Sequence, residues 1–198
     1  MERIKEVDFI LRFGQLKRHV RTGWLSKGLS PAQVESIADH VSRTILIAML
    51  LAEKFVKSRV NLEAVLRMAL FHDVVEIVLK DIDKEAWSQL SPDGKLKAIV
   101  ENRIVRNLFA SFPPAQMKKY VQEWTNYREK KTLESRIVVA ADKLELAFQA
   151  YEYACQGVSK SGLSQMINDA SEEIERLGLP QASQFLSEIS SRFNKNKL

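Results

Sequence analysis

Three segments of this chain combine an apolar helical pattern with ionisable side chains, and this combination limits the folds available to it. The segments read VESIADHVSRTILIAMLLAEKF, NLEAVLRMALFHDVVEIVL and LESRIVVAADKLELAFQAYEYACQG. Each is apolar around most of the helix circumference, so each must be surrounded by other parts of the protein. No segment shows the period-two alternation of a half-buried strand. The sequence therefore predicts an all-α fold with these three helices at its centre.

Capping residues mark where the predicted helices begin and end. Ser30, which is followed by a proline, predicts the start of the first apolar helix. Asn61 predicts the start of the second, which continues through Leu79, and Thr132 predicts the start of the third, which Gly157 ends. Amphipathic segments on either side raise the expected total to about eight helices in a single domain.

Composition narrows the class of protein and its partners. The single cysteine, Cys155, excludes an internal disulfide and a multi-cysteine zinc site. A net charge of +5 attracts anions such as phosphate esters, but interleaved acidic residues mark most of the basic surface as solvated helix. We therefore expect a nucleotide rather than a nucleic acid as partner. No segment is apolar enough to cross a membrane and no signal peptide is evident, so a cytoplasmic location is expected.

Four ionisable side chains fall within the three apolar helices: His40 on the first, His72 and Asp73 on the second, and Asp142 on the third. A buried charge is costly unless it is paired or coordinates a metal. Two imidazoles and two carboxylates suit one divalent transition ion, such as Mn, Co, Ni, Zn or Fe. Taken singly, each residue has a simpler explanation. His40 could be a core histidine with a satisfied hydrogen bond, Asp73 could pair with an arginine, and Asp142 could pair with Lys143. Taken together, the four favour a metal site.

Further carboxylates follow the His72–Asp73 pair. Glu76 lies four residues after His72, so a continuous helix would place both on one face, with Glu76 beside the ion and its water. Asp81 and Asp83 come where that helix should end and are expected near the mouth of the site. His19, between basic residues, is expected on the surface.

The motifs ADH, FHDVVE and AADKLE together resemble the HD-domain superfamily of metal-dependent phosphohydrolases, helical proteins that hold a divalent ion with these residue types. LKRHVRTGW, MALFHDVVEIVLKDI and AADKLELAFQAYEY are similar to the branch containing the 5′-deoxyribonucleotidases. The resemblance covers about residues 11–152 of the single domain, 1–198. The helices in 153–198 are expected to pack on that part.

This resemblance implies roles for individual residues. The four metal ligands of the family fall on the two histidines and two aspartates described above. Glu76 and Asp81 match its acid/base carboxylates, and Arg21 matches its phosphate-contacting arginine, with Arg18 close by in the sequence. A deoxyribose-specific site also needs a steric wall where the 2′-hydroxyl of a ribonucleotide would lie. Trp24 is the candidate for this wall, and the alternative is that Trp24 only packs in the core.

The chain departs from the family pattern at Lys80, where a small residue is common, and in residues 84–95, near the expected base pocket. The expected activity is metal-dependent removal of phosphate from nucleoside 5′-monophosphates. One alternative is an HD-type hydrolase of nucleoside triphosphates or phosphodiesters, which would need more cations than Arg18, Arg21 and Lys80. The other is a metal-stabilised module that binds nucleotide or RNA without turnover. A homodimer is also possible.

Overall fold

A computed structural model describes residues 5–55, 60–82 and 84–195, and this part of the chain is α-helical. The described residues contain no β-strand, only one isolated bridge between Val20 and Ser36. The helices are α1 (Lys5–Phe13), α2 (Ile37–Glu53), α3 (Leu62–Phe71), α4 (Glu76–Leu79), α5 (Lys84–Leu90), α6 (Lys95–Phe109), α7 (Pro114–Glu129), α8 (Leu133–Cys155), α9 (Lys160–Leu177) and α10 (Pro180–Lys195). The predicted all-α class is confirmed. None of the described helices is both long and apolar enough to span a bilayer.

Helix α8 lies at the centre and is buried on nearly all sides. It contacts α2, α3, α7, α9 and α10. Ala140, Ala141 and Ala147 are completely buried along it, and their small side chains let the neighbouring helices approach closely. The apolar character of the third segment is explained by this position.

A second apolar cluster anchors the end of α3. Phe71 packs edge-on against Phe9 of α1 and Phe109 of α6, and its ring centroid is 5.2 Å from that of Tyr120 on α7. Burying a phenylalanine side chain contributes about 1.5–3 kcal/mol, and each aromatic pair adds about 0.5–1.5 kcal/mol. This cluster fixes the backbone one residue before His72.

The predicted start of the first apolar helix at Ser30 is wrong. Helix α2 begins after Ser36, whose hydroxyl accepts the Asp39 N–H while the Asp39 carboxylate accepts the Ser36 N–H. This reciprocal capping box satisfies two N–H groups that the helix end leaves free. The Ser30 N–H and hydroxyl instead donate to the side-chain oxygen of Gln33, which stabilises a separate turn.

The predicted continuous helix from Asn61 to Leu79 is also wrong. Helix α3 ends at Phe71, residues 72–75 form a turn, and α4 begins at Glu76. The turn is tightened by bonds over three residues, such as Glu76 N–H to the Asp73 carbonyl oxygen at 3.0 Å. Bonds of this type advance the chain by about 120° per residue instead of 100°, so Glu76 is rotated away from the position that a continuous helix would give it.

Other boundaries agree with the sequence. Asn61 and Thr132 accept the backbone N–H groups of Ala64 and Ser135, both at 3.1 Å. Gly157 follows α8 with a φ of 91°, a left-handed conformation that glycine adopts without strain.

The described residues form ten α-helices where about eight were expected, for two reasons. The segment after Asn61 is divided into α3 and α4, and the charged segment after the second apolar helix contains the short α5. Asp83 lies outside the described residues.

Candidate active site

Three of the four predicted metal ligands cluster in space, and the fourth, Asp142, contacts one of them. The Nε2 atoms of His40 on α2 and His72 at the end of α3 are 3.1 Å apart. The Oδ2 atom of Asp73 is 3.5 Å from His40 Nε2 and 3.2 Å from His72 Nε2. Asp142 of α8 places its Oδ1 atom 3.3 Å from His40 Nε2. Helices α2 and α8 and the turn after α3 thus place these two imidazoles and two carboxylates around His40 Nε2.

These separations fit a single first-row metal ion. Two donor atoms about 2.1 Å from one ion, at about 90–110° to each other, are about 3.0–3.4 Å apart. The four measured distances between His40, His72, Asp73 and Asp142 run from 3.1 to 3.5 Å. The mixed nitrogen and oxygen set is also the one that divalent transition metals prefer. The donor atoms of His40, His72 and Asp73, which all lie within 4.8 Å of one another, therefore fit one such ion, and Asp142 adjoins this group through His40.

Electrostatics keep the two aspartates ionised in this buried place. Burial alone would raise the pKa of Asp73, but His72, Arg21 and His40 hold it well below its usual range. Burial likewise opposes ionisation of Asp142, yet Lys143 and His40 lower its pKa well below normal. The site presents its carboxylates in the form that binds metal.

The pKa of His40 shifts in the opposite direction. Burial and the positive charge of Arg21 lower its pKa, but Glu145 and Asp142 outweigh them and raise it to about 10. A metal ion that binds His40 therefore displaces a proton, so its affinity rises with pH.

Glu76 lines the same cavity as His72, Asp73 and Asp142, and one of its carboxylate oxygens has no hydrogen-bond partner in the described part of the chain. Its Oε2 atom is buried and has no hydrogen-bond partner among the described residues. Burial and the negative charges of Asp73 and Asp81 raise the pKa of Glu76 to about 9. The backbone carbonyl oxygen of Glu76 accepts from His19 Nδ1 at 3.1 Å, so His19 is half-buried against the site instead of lying on the surface as expected.

Asp81 is fixed to the segment that follows Arg21. Its Oδ2 atom accepts the Thr22 N–H at 2.5 Å, and the Thr22 hydroxyl donates to the Asp81 carbonyl oxygen at 2.8 Å. The preceding Lys80 has φ 58° and ψ −174°, a conformation that L residues rarely adopt. This unusual backbone turns the chain from α4 toward Thr22.

The structure separates the three predicted substrate contacts. Arg21 Nη1 is 3.2 Å from Asp73 Oδ2, inside the site. Arg18 is exposed and lines neither of the two cavities described below. The Trp24 side chain is 1% exposed, its indole N–H donates to Glu35 Oε1 at 3.0 Å, and its ring nevertheless forms part of a cavity wall.

Two adjoining cavities surround these residues. The inner cavity, about 200 Å³, is lined by His72, Asp73, Glu76 and Asp142 among others. The outer cavity, about 480 Å³, is lined by Asp81 and Trp24 and by residues of α9 that include Met166, Asp169 and Ala170. Arg21, Ile82 and Lys143 line both, so the cavities meet at these three side chains.

Additional cations line the inner cavity beyond those expected from the sequence. Lys97, Arg128 and Lys143 come from α6, α7 and α8. Each faces a carboxylate: Arg128 and Lys97 lie 2.8 and 3.8 Å from Glu101, and Lys143 lies 2.9 Å from Asp142. The sequence-based count of cations was therefore too low, although these charges are largely neutralised in place.

A family model for the HD domain matches residues 13–182, most of the chain and as far as the start of α10. The chain belongs to the HD-domain family. Proteins of this family are metal-dependent phosphohydrolases, which agrees with the donor set assembled here.

Relatives of this HD-domain protein carry one recurring name. The human protein 5′-deoxynucleotidase HDDC2 is 26% identical over 190 residues, covering 96% of this chain and 87% of the relative. The Saccharomyces cerevisiae 5′-deoxynucleotidase YBR242W is 32% identical over 155 residues, covering 74% of this chain and 60% of the relative. Among solved structures, the PH0347 protein of Pyrococcus horikoshii has a TM-score of 0.79 and 30% identity, covering 94% of this chain and 99% of that one.

Proposed function

We propose that this protein is a 5′-deoxynucleotidase, a metal-dependent phosphohydrolase that removes phosphate from deoxynucleoside 5′-monophosphates. The observation that carries the proposal is the cluster of metal-type donor atoms from His40, His72 and Asp73, with Asp142 against His40 and Arg21 against Asp73. Glu76, which has one carboxylate oxygen without a partner among the described residues, lines the same cavity as His72 and Asp73. The names of the relatives support the same activity and the same substrate class.

The residues His40, His72, Asp73 and Asp142 would hold the ion. Its charge would lower the pKa of a coordinated water and offset negative charge on the phosphoryl oxygens. Arg21 would bind a phosphate oxygen through the planar guanidinium, whose paired N–H groups match phosphate better than a lysine does. Because Arg21 now contacts Asp73, the phosphate would arrive directly beside the donor set.

Glu76 and Asp81 would divide the proton transfers. Glu76 lines the inner cavity, where it would accept a proton from the attacking water. Its pKa of about 9 falls when positive charge is placed beside it, which gives the ionised form that a base requires. Asp81 lines the outer cavity, where it would donate a proton to the departing 5′-oxygen.

Placing the base and the acid in different cavities would fix the orientation in which the substrate binds. A base in one cavity and an acid in the adjoining cavity suit a displacement in which water enters on one side of phosphorus and the nucleoside leaves on the other. The phosphate would lie at Arg21 and Lys143, which line both cavities. The nucleoside would then occupy the outer cavity against α9, where Met166 and Ala170 provide apolar contact.

The first test is phosphate release by metal-stripped protein supplied singly with Mn, Co, Ni, Zn or Fe. We expect turnover of deoxynucleoside monophosphates only when metal is present. Asp73→Ala should abolish both metal binding and turnover, whereas Glu76→Gln should keep the metal and slow turnover by about 10²–10⁴-fold. Glu188→Ala, at an exposed carboxylate that lines neither cavity, is the control and should match the wild type. Full turnover by metal-free Asp73→Ala would refute the proposal.

A substrate panel separates this function from its alternatives. Triphosphate hydrolysis is the second candidate, because lysine and arginine side chains line the inner cavity and could bind additional phosphates if these displaced their carboxylate partners. Preferred turnover of triphosphates would select that candidate. Tight, salt-sensitive binding of RNA without turnover would select a binding module. The homodimer and the cytoplasmic location stay predictions, and sedimentation of the purified protein and cell fractionation would check them.

A further inference from the structure

The orientation of the His40 ring depends on a carboxylate outside the metal-type donor set. The His40 side chain is fully buried, with Nε2 directed at His72 and Asp142. Its other ring nitrogen, Nδ1, lies 2.5 Å from Glu145 Oε2, and the Glu145 side chain is also fully buried. No solvent competes for this contact, so the carboxylate is the acceptor for a proton on Nδ1.

Arg43 holds the other oxygen of Glu145. Its Nε and Nη2 atoms lie 2.9 and 2.7 Å from Glu145 Oε1. The same guanidinium also contacts Gln149 and, at 2.6 Å, the exposed Glu152. His40 and Arg43 are three residues apart on α2, and Glu145, Gln149 and Glu152 follow one face of α8. The two helices are therefore joined by a network that ends on the His40 ring.

We propose that Glu145, fixed by Arg43, is a positioning residue for the candidate metal site. It accepts the Nδ1–H of His40 and thereby keeps Nε2 directed at the donor set, where a metal ion would replace the Nε2 proton. A histidine that binds metal through one nitrogen is oriented by the hydrogen bond of the other. The inference rests on the metal dependence in the proposed function but not on the identity of the substrate.

His72 shows why only one of the two histidines needs such a partner. Its Nδ1 donates to the backbone carbonyl oxygen of Ala69, three residues earlier in the chain, at 2.7 Å. Backbone geometry therefore orients His72, and no side-chain substitution removes that acceptor. His40 has no comparable backbone contact among the described residues, so its orientation depends on Glu145.

A rival interpretation is a second metal site, because donor atoms of Glu35, His40 and Glu145 lie within 4.8 Å of one another. The hydrogen bonds oppose it. Glu35 Oε1 accepts from the Trp24 indole, and both oxygens of Glu145 are already in contact with His40 and Arg43. The rival predicts two ions for each chain, whereas the positioning role predicts one.

The test is a zinc titration of the metal-stripped, full-length protein by calorimetry, with a competing chelator where binding is tight. We expect one zinc ion for each wild-type chain and about 10–100-fold weaker binding by Glu145→Gln. Glu152→Gln is the matched control, because it removes the exposed carboxylate from the same arginine and leaves the contact between Glu145 and His40. It should bind zinc as the wild type does.

A spectroscopic measurement separates positioning from a general loss of structure. Nitrogen-15 spectra of the zinc-loaded protein should show the His40 Nδ1 proton far downfield, as a short bond to a carboxylate requires, in the wild type and in Glu152→Gln. That signal should shift strongly upfield in Glu145→Gln. Arg43→Lys, which keeps the charge but loses the planar fork, should give an intermediate zinc affinity and serves if Glu145→Gln fails to fold.

The outcomes distinguish this inference from the proposed function. Equal zinc affinity and an unchanged His40 signal in Glu145→Gln would overturn the positioning role while leaving the metal site intact. Two zinc ions for each wild-type chain, one of them lost in Glu145→Gln, would replace it with the second metal site. A wild-type chain that binds no zinc, manganese or cobalt would overturn the metal dependence itself. No substrate is present in any of these measurements.

Discussion

Replacing Lys80 by glycine should stabilise the protein, although the substitution removes a whole side chain. Lys80 has φ 58° and ψ −174°, a region that only glycine adopts readily. Strain of this kind destabilises the folded protein by about 1–3 kcal/mol. Glycine removes the strain but has greater freedom in the unfolded chain, which offsets about 0.5–1 kcal/mol of the gain. We expect Lys80→Gly to raise the free energy of unfolding by about 1 kcal/mol. For a chain of this size, that corresponds to about 2–4 °C in melting temperature.

The comparison that isolates the backbone effect is Lys80→Ala. Alanine removes the same ammonium group but keeps the Cβ atom, so the strain remains. Urea unfolding of wild type, Lys80→Ala and Lys80→Gly should therefore place the glycine variant as the most stable of the three, with similar dependence on urea concentration. A glycine variant less stable than the alanine variant would refute the argument that Lys80 is strained.

The same pair of variants tests whether the ammonium group contacts substrate. Lys80 lines the inner cavity, where phosphate is expected. If its charge helps to bind phosphate, KM should rise equally in both variants. If only the backbone matters, the alanine variant should keep the wild-type KM.

Two further predictions concern the buried polar groups. In the metal-free protein the pKa of His40 is raised from 6.5 to about 10 and that of Glu76 from 4.5 to about 9, so the folded state keeps protons that the unfolded chain has released. Stability should therefore fall as pH rises through these ranges, and urea unfolding at about pH 6 and about pH 9 should show a smaller loss when zinc is present. Trp24→Phe removes the N–H that Glu35 accepts and should cost about 1–3 kcal/mol. If Trp24 is also the wall against a 2′-hydroxyl, the preference in kcat/KM for deoxyribonucleotides should fall as well, and an unchanged preference would leave it a core residue.

The helices were predictable where local signals decide them. Asn61 and Thr132 cap their helices through contacts with residues three positions away, so the sequence pattern contains the whole interaction. The break after Phe71 was not predictable in the same way. Apolar periodicity continues across residues 72–75, and the turn depends on the aromatic cluster around Phe71 and on the hydrogen bond from His72 to Ala69, both of which exist only in the folded protein.

The candidate metal ligands could be selected from the sequence because each is a polar residue in an apolar segment, a combination that needs an explanation, and their metal binding stays a prediction. Glu145 has the same property, three residues after Asp142 in the same buried helix, and that signal could have identified it. Lys97 and Arg128 carried no such signal, since both lie in helices with ordinary charged surfaces. Only the packing of α6 and α7 brings them to the cavity.

The order of the ligands along the chain has a consequence for biosynthesis. His40, His72 and Asp73 are all synthesised before Asp142, which lies on the central helix α8. At about 5–20 residues per second, the last ligand follows the third by several seconds. The nascent chain therefore carries three of the four proposed ligands without the helix that supplies the fourth, so an ion held by all four would be acquired after α8 has left the ribosome. Metal loading should accordingly be a late event in the maturation of this protein.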